Sequence, residues 1–298
     1  MGASAPAFSY MYIQISCSST GIGDHVTAIY TACGYADAGH QVEFTTPYYK
    51  WLERVQHPNL TIVGEKPCSF SVYWRYDEEL VAAQKGTCKS RANWYAENLS
   101  EFYGIPLAEP SLPKEILGPT KANHCHKPYV LIAPFSAGPS RAWEEDKWQY
   151  LAEDLLAKGY DVIAVASQKE AHALEKMFNY LPQVVRAAGL PPESVLNLIH
   201  YAHRVVANDS SIAHLSALHR KYVTCVCSHV KPEFVFGVAN KYVNTVHPDL
   251  EMYPCTWCCW THDGGLRWGC HERCDALQSI EHEKVIQVMS ITDKALVV

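Results

Sequence analysis

Long apolar runs are what this 298-residue chain most plainly lacks. None approaches the roughly 20 residues that a bilayer-spanning helix needs, so no membrane span is expected. An excess of positive charge is also missing. Lys and Arg number 25 against 31 Asp and Glu, a formal net charge of −6, so no global basic footprint points to nucleic acid or an anionic membrane, although a local basic groove stays compatible with it. The N-terminus has neither a basic segment nor a long apolar one, and a secretory signal is therefore not expected. Met1-Gly2 looks superficially like the start of a myristoylation motif, but Pro6 stands where that motif has Ser or Thr. Residues 1–11 read as a disordered leader, with Met11 a natural start. Cysteine is not scarce. Of twelve, seven are scattered through expected strands and helices, as in a reduced cytoplasmic protein, and five cluster near the end. A hydrophobic fraction of 48% is enough for a sizeable core, and the length suggests two domains.

Strands and helices alternate along the chain. Tyr12–Ser16 reads as a strand, followed by a loop holding Gly21, Gly23, Asp24 and His25 and by a helix marked by Val26, Ile29, Tyr30 and Cys33. Gln41–Thr45 and Leu60–Val63 read as strands, with a helix over 48–55 between them. A helix over 91–103 follows an aromatic stretch that includes Phe70, Tyr73, Trp74 and Tyr76; these aromatics and Trp94 read mainly as core, though such rings also suit carbohydrate or base stacking. Residues 107–127 carry Pro, Lys and Gly punctuation with little periodicity and read as a linker. The second half opens with the buried strand Tyr129–Ala133, the loop 134–143, a helix over 144–158 and a strand over 160–167. Later comes the stretch Arg204–Cys227: a β-branched run, Asn208 and Asp209, the helix starters Ser210 and Ser211, then Ile212, Leu215 and Leu218 at helical spacing and a further strand. A last helix is expected over 280–289. Strand, polar elbow, helix is how an open α/β sheet offers free backbone N–H groups to a phosphate, though the same pattern serves an ordinary crossover. By position alone, Asp24 reads as a helix cap worth about 0.5–2 kcal/mol.

The order of residues is more specific than the pattern. Asp209-Ser210-Ser211-x-x-His214-Leu215-x-Ala217 resembles the Asp-Ser/Thr-Gly-x-x-His-Leu-Ala donor-site motif of glycosyltransferase family 9, the heptosyltransferase-like enzymes, with Ser211 where relatives usually have Gly. Gly23-Asp24 before the first helix is similar to the Gly-Asp of the family's N-terminal loop. The run Ser136-Ala137-Gly138 with Arg141 and Trp143 resembles its phosphate-facing loop, Arg141 standing near where the family more often has Lys. Arg91-x-x-x-Tyr95 is similar to a family segment that precedes the interdomain linker.

The resemblance covers about residues 12–290 and implies the GT-B architecture, two doubly wound parallel-sheet (Rossmann-like) domains facing a cleft. Residues 12–110 would form the acceptor-side domain, 111–127 the linker, and 128–298 the nucleotide-sugar domain, with a Cys-rich segment at 255–274. The implied activity is transfer from a nucleotide-diphosphate sugar to an acceptor hydroxyl, with inversion. Asp24 would be the general base. Gly23, Ser136, Ala137, Gly138, Arg141, Gln168, Asp209, Ser210, Ser211 and His214 would contact the donor, Gln168 by its position past a strand end, and His25 and Arg91 the acceptor. No cofactor is expected for transfer, because Arg141 and a helix N-terminus stand at the presumed phosphate site with no Asp-x-Asp beside them.

The acceptor is open among a saccharide, a small molecule and a modified nucleobase. The acidic balance of residues 12–110 argues mildly against a heavily phosphorylated lipid core or duplex DNA. A nucleotide-sugar epimerase and a non-catalytic nucleotide-sugar-binding protein are the rival readings. Cys255-x2-Cys258-Cys259-x10-Cys270-x3-Cys274 has the spacing of paired metal-binding knuckles. Cys255, Cys258, Cys270 and Cys274 are candidate ligands of a structural zinc, with disulfides or free thiols as the alternatives.

Overall fold

The computed structural model describes residues 10–72, 89–119, 128–227, 231–253 and 274–295. They fall into two compact units, with the main break between Leu117 and Gly118. Among the described residues, no helix is long and apolar enough to cross a membrane.

The first unit runs β1 (Tyr12–Cys17), α1 (Ile22–Asp37), β2 (Gln41–Thr45), α2 (Tyr49–Leu52), β3 (Val55–Gln56), β4 (Leu60–Val63), β5 (Ser71–Val72), α3 (Arg91–Tyr103) and β6 (Glu115–Ile116). Its parallel sheet has the order β4-β2-β1-β5, so the winding reverses about β1. Alternation in β1 buries Ile13 and Ile15, which lie in register with Val42 and Phe44. From His25 to Ala36 every residue of α1 is buried. The reason is that α3 covers it as well as the sheet: Thr31 Oγ1 donates to the Ala92 carbonyl and Tyr35 Oη to that of Ala96, both at 2.8 Å. Trp94 is core, and Phe70 stacks on Phe102 at 4.3 Å, whereas Tyr73, Trp74 and Tyr76 lie outside the described residues.

Two expectations are revised. The helix over 48–55 is confined to α2, because Val55–Gln56 instead pairs antiparallel with β6. Residues 111–117, placed in the linker by composition, are fastened to the first unit. The Ser111 amide donates to the Tyr30 carbonyl, and Asp37 accepts from Ser111 Oγ (2.6 Å) and His57 Nε2 (3.1 Å) while pairing with Lys114. Burial alone would raise the Asp37 pKa, yet these three partners pull it down to about 2.

The second unit runs β7 (Tyr129–Ala133), α4 (Glu145–Ala157), β8 (Asp161–Ala166), α5 (Ala171–Met177), β9 (Val185–Ala188), α6 (Pro192–Tyr201), β10 (Arg204–Asn208), α7 (Ser211–Leu218), β11 (Val223–Val226), α8 (Pro232–Phe236), β12 (Val243–Val246), α9 (Asp275–Gln278) and α10 (His282–Ala295). The six strands are parallel in the order β12-β11-β10-β7-β8-β9. All five residues of β7 and of β10 are buried, as expected for central strands covered on both faces. Consecutive crossovers leave to opposite sides at the β7/β10 junction, which makes that junction the switch point of the doubly wound sheet. Cys255, Cys258, Cys259 and Cys270 lie outside the described residues. Cys274 is buried in the core with Leu277 and Ile280.

Gly34 shows how closely residues 109–111, the strap over α1, are fitted. A Cβ at this position would lie 2.2 Å from the Glu109 carbonyl oxygen and 3.1 Å from Pro110 Cα. Gly34→Ala gains about 1 kcal/mol of helix propensity, but the clash is with backbone and cannot relax cheaply. A net loss of about 1–3 kcal/mol is expected in urea unfolding; a variant as stable as the parent would show that the strap does not bear on α1.

Candidate functional site

In the second unit the loops that follow β7 and β10 meet. Asn208, at the end of β10, is fully buried; its Nδ2 donates to the Pro134 carbonyl at 2.7 Å and its Oδ1 accepts from the Trp143 amide at 3.4 Å. The next residue, Asp209, offers its carbonyl to Ser136 Oγ (3.1 Å) and Arg141 Nη1 (3.5 Å). Its carboxylate lies between Arg141 Nη1 (3.8 Å) and His214 Nε2 (3.7 Å). His214, one turn into α7, packs its ring on Phe236 at 4.6 Å. Ser210 takes the N-cap position of α7 in an extended conformation, yet its hydroxyl makes no capping bond. Among the described residues, Ser210 Oγ and His214 Nδ1 are buried polar atoms with no hydrogen-bond partner. The first-turn N–H groups of α7 have no intrahelical acceptors. The elbow therefore offers a guanidinium that is one-third exposed, backbone N–H groups and an unspent hydroxyl, which together suit an anion such as a diphosphate.

The first unit has its own switch point, between β1 and β5. The helix begins earlier than its sequence suggests. Gly21 is the N-cap and α1 starts at Ile22, so Gly23 and Asp24 lie inside the first turn and Asp24 is not the cap. The Asp24 carboxylate pairs with Arg91 through Oδ1 and accepts from Ser19 Oγ through Oδ2. Ser19 Oγ also accepts from the Gly21 amide at 3.1 Å. Held on both oxygens and about a quarter exposed, the carboxylate is fixed in direction and still reachable. Beside it, burial first and the Asp24 charge to a lesser degree push the Cys17 thiol up to about 11, so Cys17 supplies no thiolate nucleophile at neutral pH.

Several expected residues have other places. His25, expected at an acceptor, is fully buried; Nε2 meets the Ser19 carbonyl and Nδ1 the Thr46 hydroxyl, each at 2.9 Å. With both nitrogens used inside the fold, it fixes the Ser19 loop that precedes α1 and has none left for an acceptor. Arg91 is committed to Asp24, 67 residues away in sequence. Ser136, Arg141, Asp209, Ser210 and His214 converge, with Ser211 as the first residue of α7 and Ala137 and Gly138 in the loop that carries Arg141. Gly23 belongs to the other unit. Gln168 starts a 3₁₀ turn past β8 and leans on Gly189 after β9, where a Cβ would sit 2.1 Å from its Oε1. It thus sits at the β8/β9 side of the sheet, one strand beyond the β7/β10 junction. Ser19 and Asn208 were not foreseen from the sequence; an Asn ending a buried strand ahead of Asp is the one local signal that either carried. Among the described residues, Glu281, His282 and Glu283 could approach one metal ion, but they lie at the surface and His282 already faces Asp154 at 3.5 Å.

Burial holds the His25 pKa below the ordinary histidine value, against smaller opposing pulls from the Ser19 carbonyl and Asp24. The unfolded chain then takes up a proton that the folded one refuses, so stability is full above the unfolded pKa and falls as the pH drops below it. The slope from this residue is at most about 1.4 kcal/mol per pH unit. Melting curves between about pH 7 and pH 5 should show a shallower loss in His25→Gln than in the parent. Equal slopes would mean that His25 binds protons alike in the folded and unfolded states, so that burial does not lower its pKa.

A profile for glycosyltransferase family 9 (heptosyltransferase) matches residues 95–257, more than half of the chain. No curated protein sequence matches it. Among solved structures, the chain is similar to the E. coli ADP-heptose LPS heptosyltransferase II, at TM-score 0.57 and 14% identity over 94% of this chain and 98% of that one. It is similar to the iron-containing dodecameric glycosyltransferase TibC of enterotoxigenic E. coli, at 0.68 and 15% over 96% and 79%. The family 9 glycosyl transferase of Veillonella parvula aligns at 0.67 and 12% over 95% and 97%. At these identities the likeness shows the fold, that of two parallel α/β units in the GT-B class. With the profile spanning the Arg141 loop and the Asp209 elbow, the chain belongs to glycosyltransferase family 9, the heptosyltransferase family.

Proposed function

We propose that this enzyme moves a sugar from a nucleotide-diphosphate sugar to an acceptor hydroxyl, inverting the anomeric carbon and using no divalent metal in the transfer step. The observation that carries the reading is the convergence of Ser136, Arg141, Asp209 and the unspent Ser210 hydroxyl at the N-terminus of α7. TibC has been crystallised with ADP-D-β-D-heptose and the E. coli heptosyltransferase WaaC with ADP, which supports a nucleoside-diphosphate-linked sugar as donor here.

In this mechanism the acceptor oxygen forms a bond to the anomeric carbon as the bond from that carbon to the diphosphate oxygen breaks. The acceptor proton goes to Asp24, which Arg91 and Ser19 hold in one orientation. The electron pair leaves with the diphosphate, whose growing charge meets Arg141, the Ser210 hydroxyl and the free N–H groups of α7. Arg141 offsets Asp209 as well, so backbone dipoles carry a large share of that stabilisation.

Asp24→Asn should keep nucleoside-diphosphate binding and lose roughly 10²–10⁴-fold in transfer rate. Brief EDTA treatment of the parent should leave transfer intact. Near-parental turnover by Asp24→Asn would remove Asp24 from the chemistry. Prompt loss in EDTA with the fold unchanged, restored by magnesium or manganese, would remove the metal-independent step. Epimerised donor without acceptor, or donor binding with no turnover, would favour the two rival activities.

A further inference from the structure

We infer that Gln278 is a positioning residue for the donor loop, setting Arg141 in place from a segment 137 residues further along the chain. The inference rests on the reading of Arg141 as a diphosphate contact.

Gln278 ends α9 and is buried. Its Nε2 donates to the Ala142 carbonyl at 2.8 Å and its Oε1 accepts from the Glu144 amide at 2.9 Å. One side-chain amide thus pairs with the main chain on either side of Trp143, as a neighbouring strand would. Trp143 is held in the same place: its indole Nε1 donates to the Ile280 carbonyl at 2.9 Å, and its ring meets Trp148 edge-on at 5.1 Å. Residues 142–144 are therefore fixed by 278–280, and Arg141 is one peptide bond upstream.

Lys147, on the first turn of α4, locks the anchoring segment. Its buried ammonium donates to the Gln278 and Ile280 carbonyls and pairs with Glu281 Oε1, so its three protons meet three acceptors. Burying that charge is tolerable only because it is fully matched. Ala276, Leu277 and Ile280 already bind the segment to the core by apolar packing. The Gln278 amide adds direction: a donor and an acceptor at the reach needed for Ala142 and Glu144. Leu fills the same space with neither group, and Glu keeps only the acceptor.

The test uses the full chain and four variants: Gln278→Leu, Gln278→Glu, Arg141→Ala and the Gln278→Leu/Arg141→Ala double variant. ADP, GDP and UDP are titrated by calorimetry, and the tightest binder is used throughout. Gln278→Leu should weaken it about tenfold, because binding must then order a loop that is no longer held in advance, with Gln278→Glu between. In the Arg141→Ala background, Gln278→Leu should cost less than about twofold, since both changes act through one contact. In the unliganded chain, hydrogen exchange should quicken over 141–148 in Gln278→Leu while the melting transition, lowered by a few degrees, stays cooperative; Gln278→Glu provides the milder variant should Leu disturb folding. Full additivity of the two changes, or unchanged exchange at 141–148, would overturn the positioning role while leaving Arg141 as a contact. Unchanged affinity in Arg141→Ala would defeat the diphosphate reading itself, and the inference with it.

Discussion

A buried amide, that of Asn208, holds the two loops of the second unit's switch point as one piece. It sits where β10 ends, with no exposure, and spends its donor on Pro134 and its acceptor on Trp143. Unpaired, either end would cost about 1–3 kcal/mol in that position, so the loop after β7 is drawn to the end of β10. Once it is there, Ser136 and Arg141 reach the Asp209 carbonyl, and the first turn of α7 is left open between them. Neither loop forms the anion-suited surface alone. The sheet order supplies the junction, and Asn208 fixes the distance across it.

Both units place an Asp–Arg pair at their switch points, and the difference between the pairs separates their roles. Asp24 and Arg91 are in direct contact, and the arginine is 11% exposed. Asp209 and Arg141 stand 3.8 Å apart, and that arginine is 32% exposed. A tight pair orients its carboxylate and leaves the arginine little capacity for anything else. A loose one keeps guanidinium protons for a further anion. The first arrangement suits a carboxylate that takes a proton in a set direction, and the second suits a site that accepts a charged leaving group.

Much of this was legible in the chain. The β-branched runs ahead of Ser136 and Asp209, and the helical spacing after Ser210, carry the elbow within a few residues of sequence, where local pattern is informative. The helix expected over 48–55 stops at Leu52 because Val55 and Gln56 are claimed by Glu115 and Ile116, a pairing no local window contains. His25 carried a motif-like position but is buried, its ring filled by Ser19 and Thr46. Arg91 on Asp24 and Gln278 on Ala142 are long-range contacts, and nothing at either end of the sequence announces the other. The Asp24 position itself shifted meaning: read as lying in a loop, it stands inside the first turn of α1.

The β7/β10 junction is the proposed seat of the donor diphosphate. A crystal structure of the protein with the nucleoside diphosphate it binds most tightly tests that most directly. The phosphate oxygens should lie within hydrogen-bonding distance of Arg141, Ser210 Oγ and the first N–H groups of α7. Well-defined phosphates bound elsewhere, with the α7 N-terminus facing solvent, would contradict it.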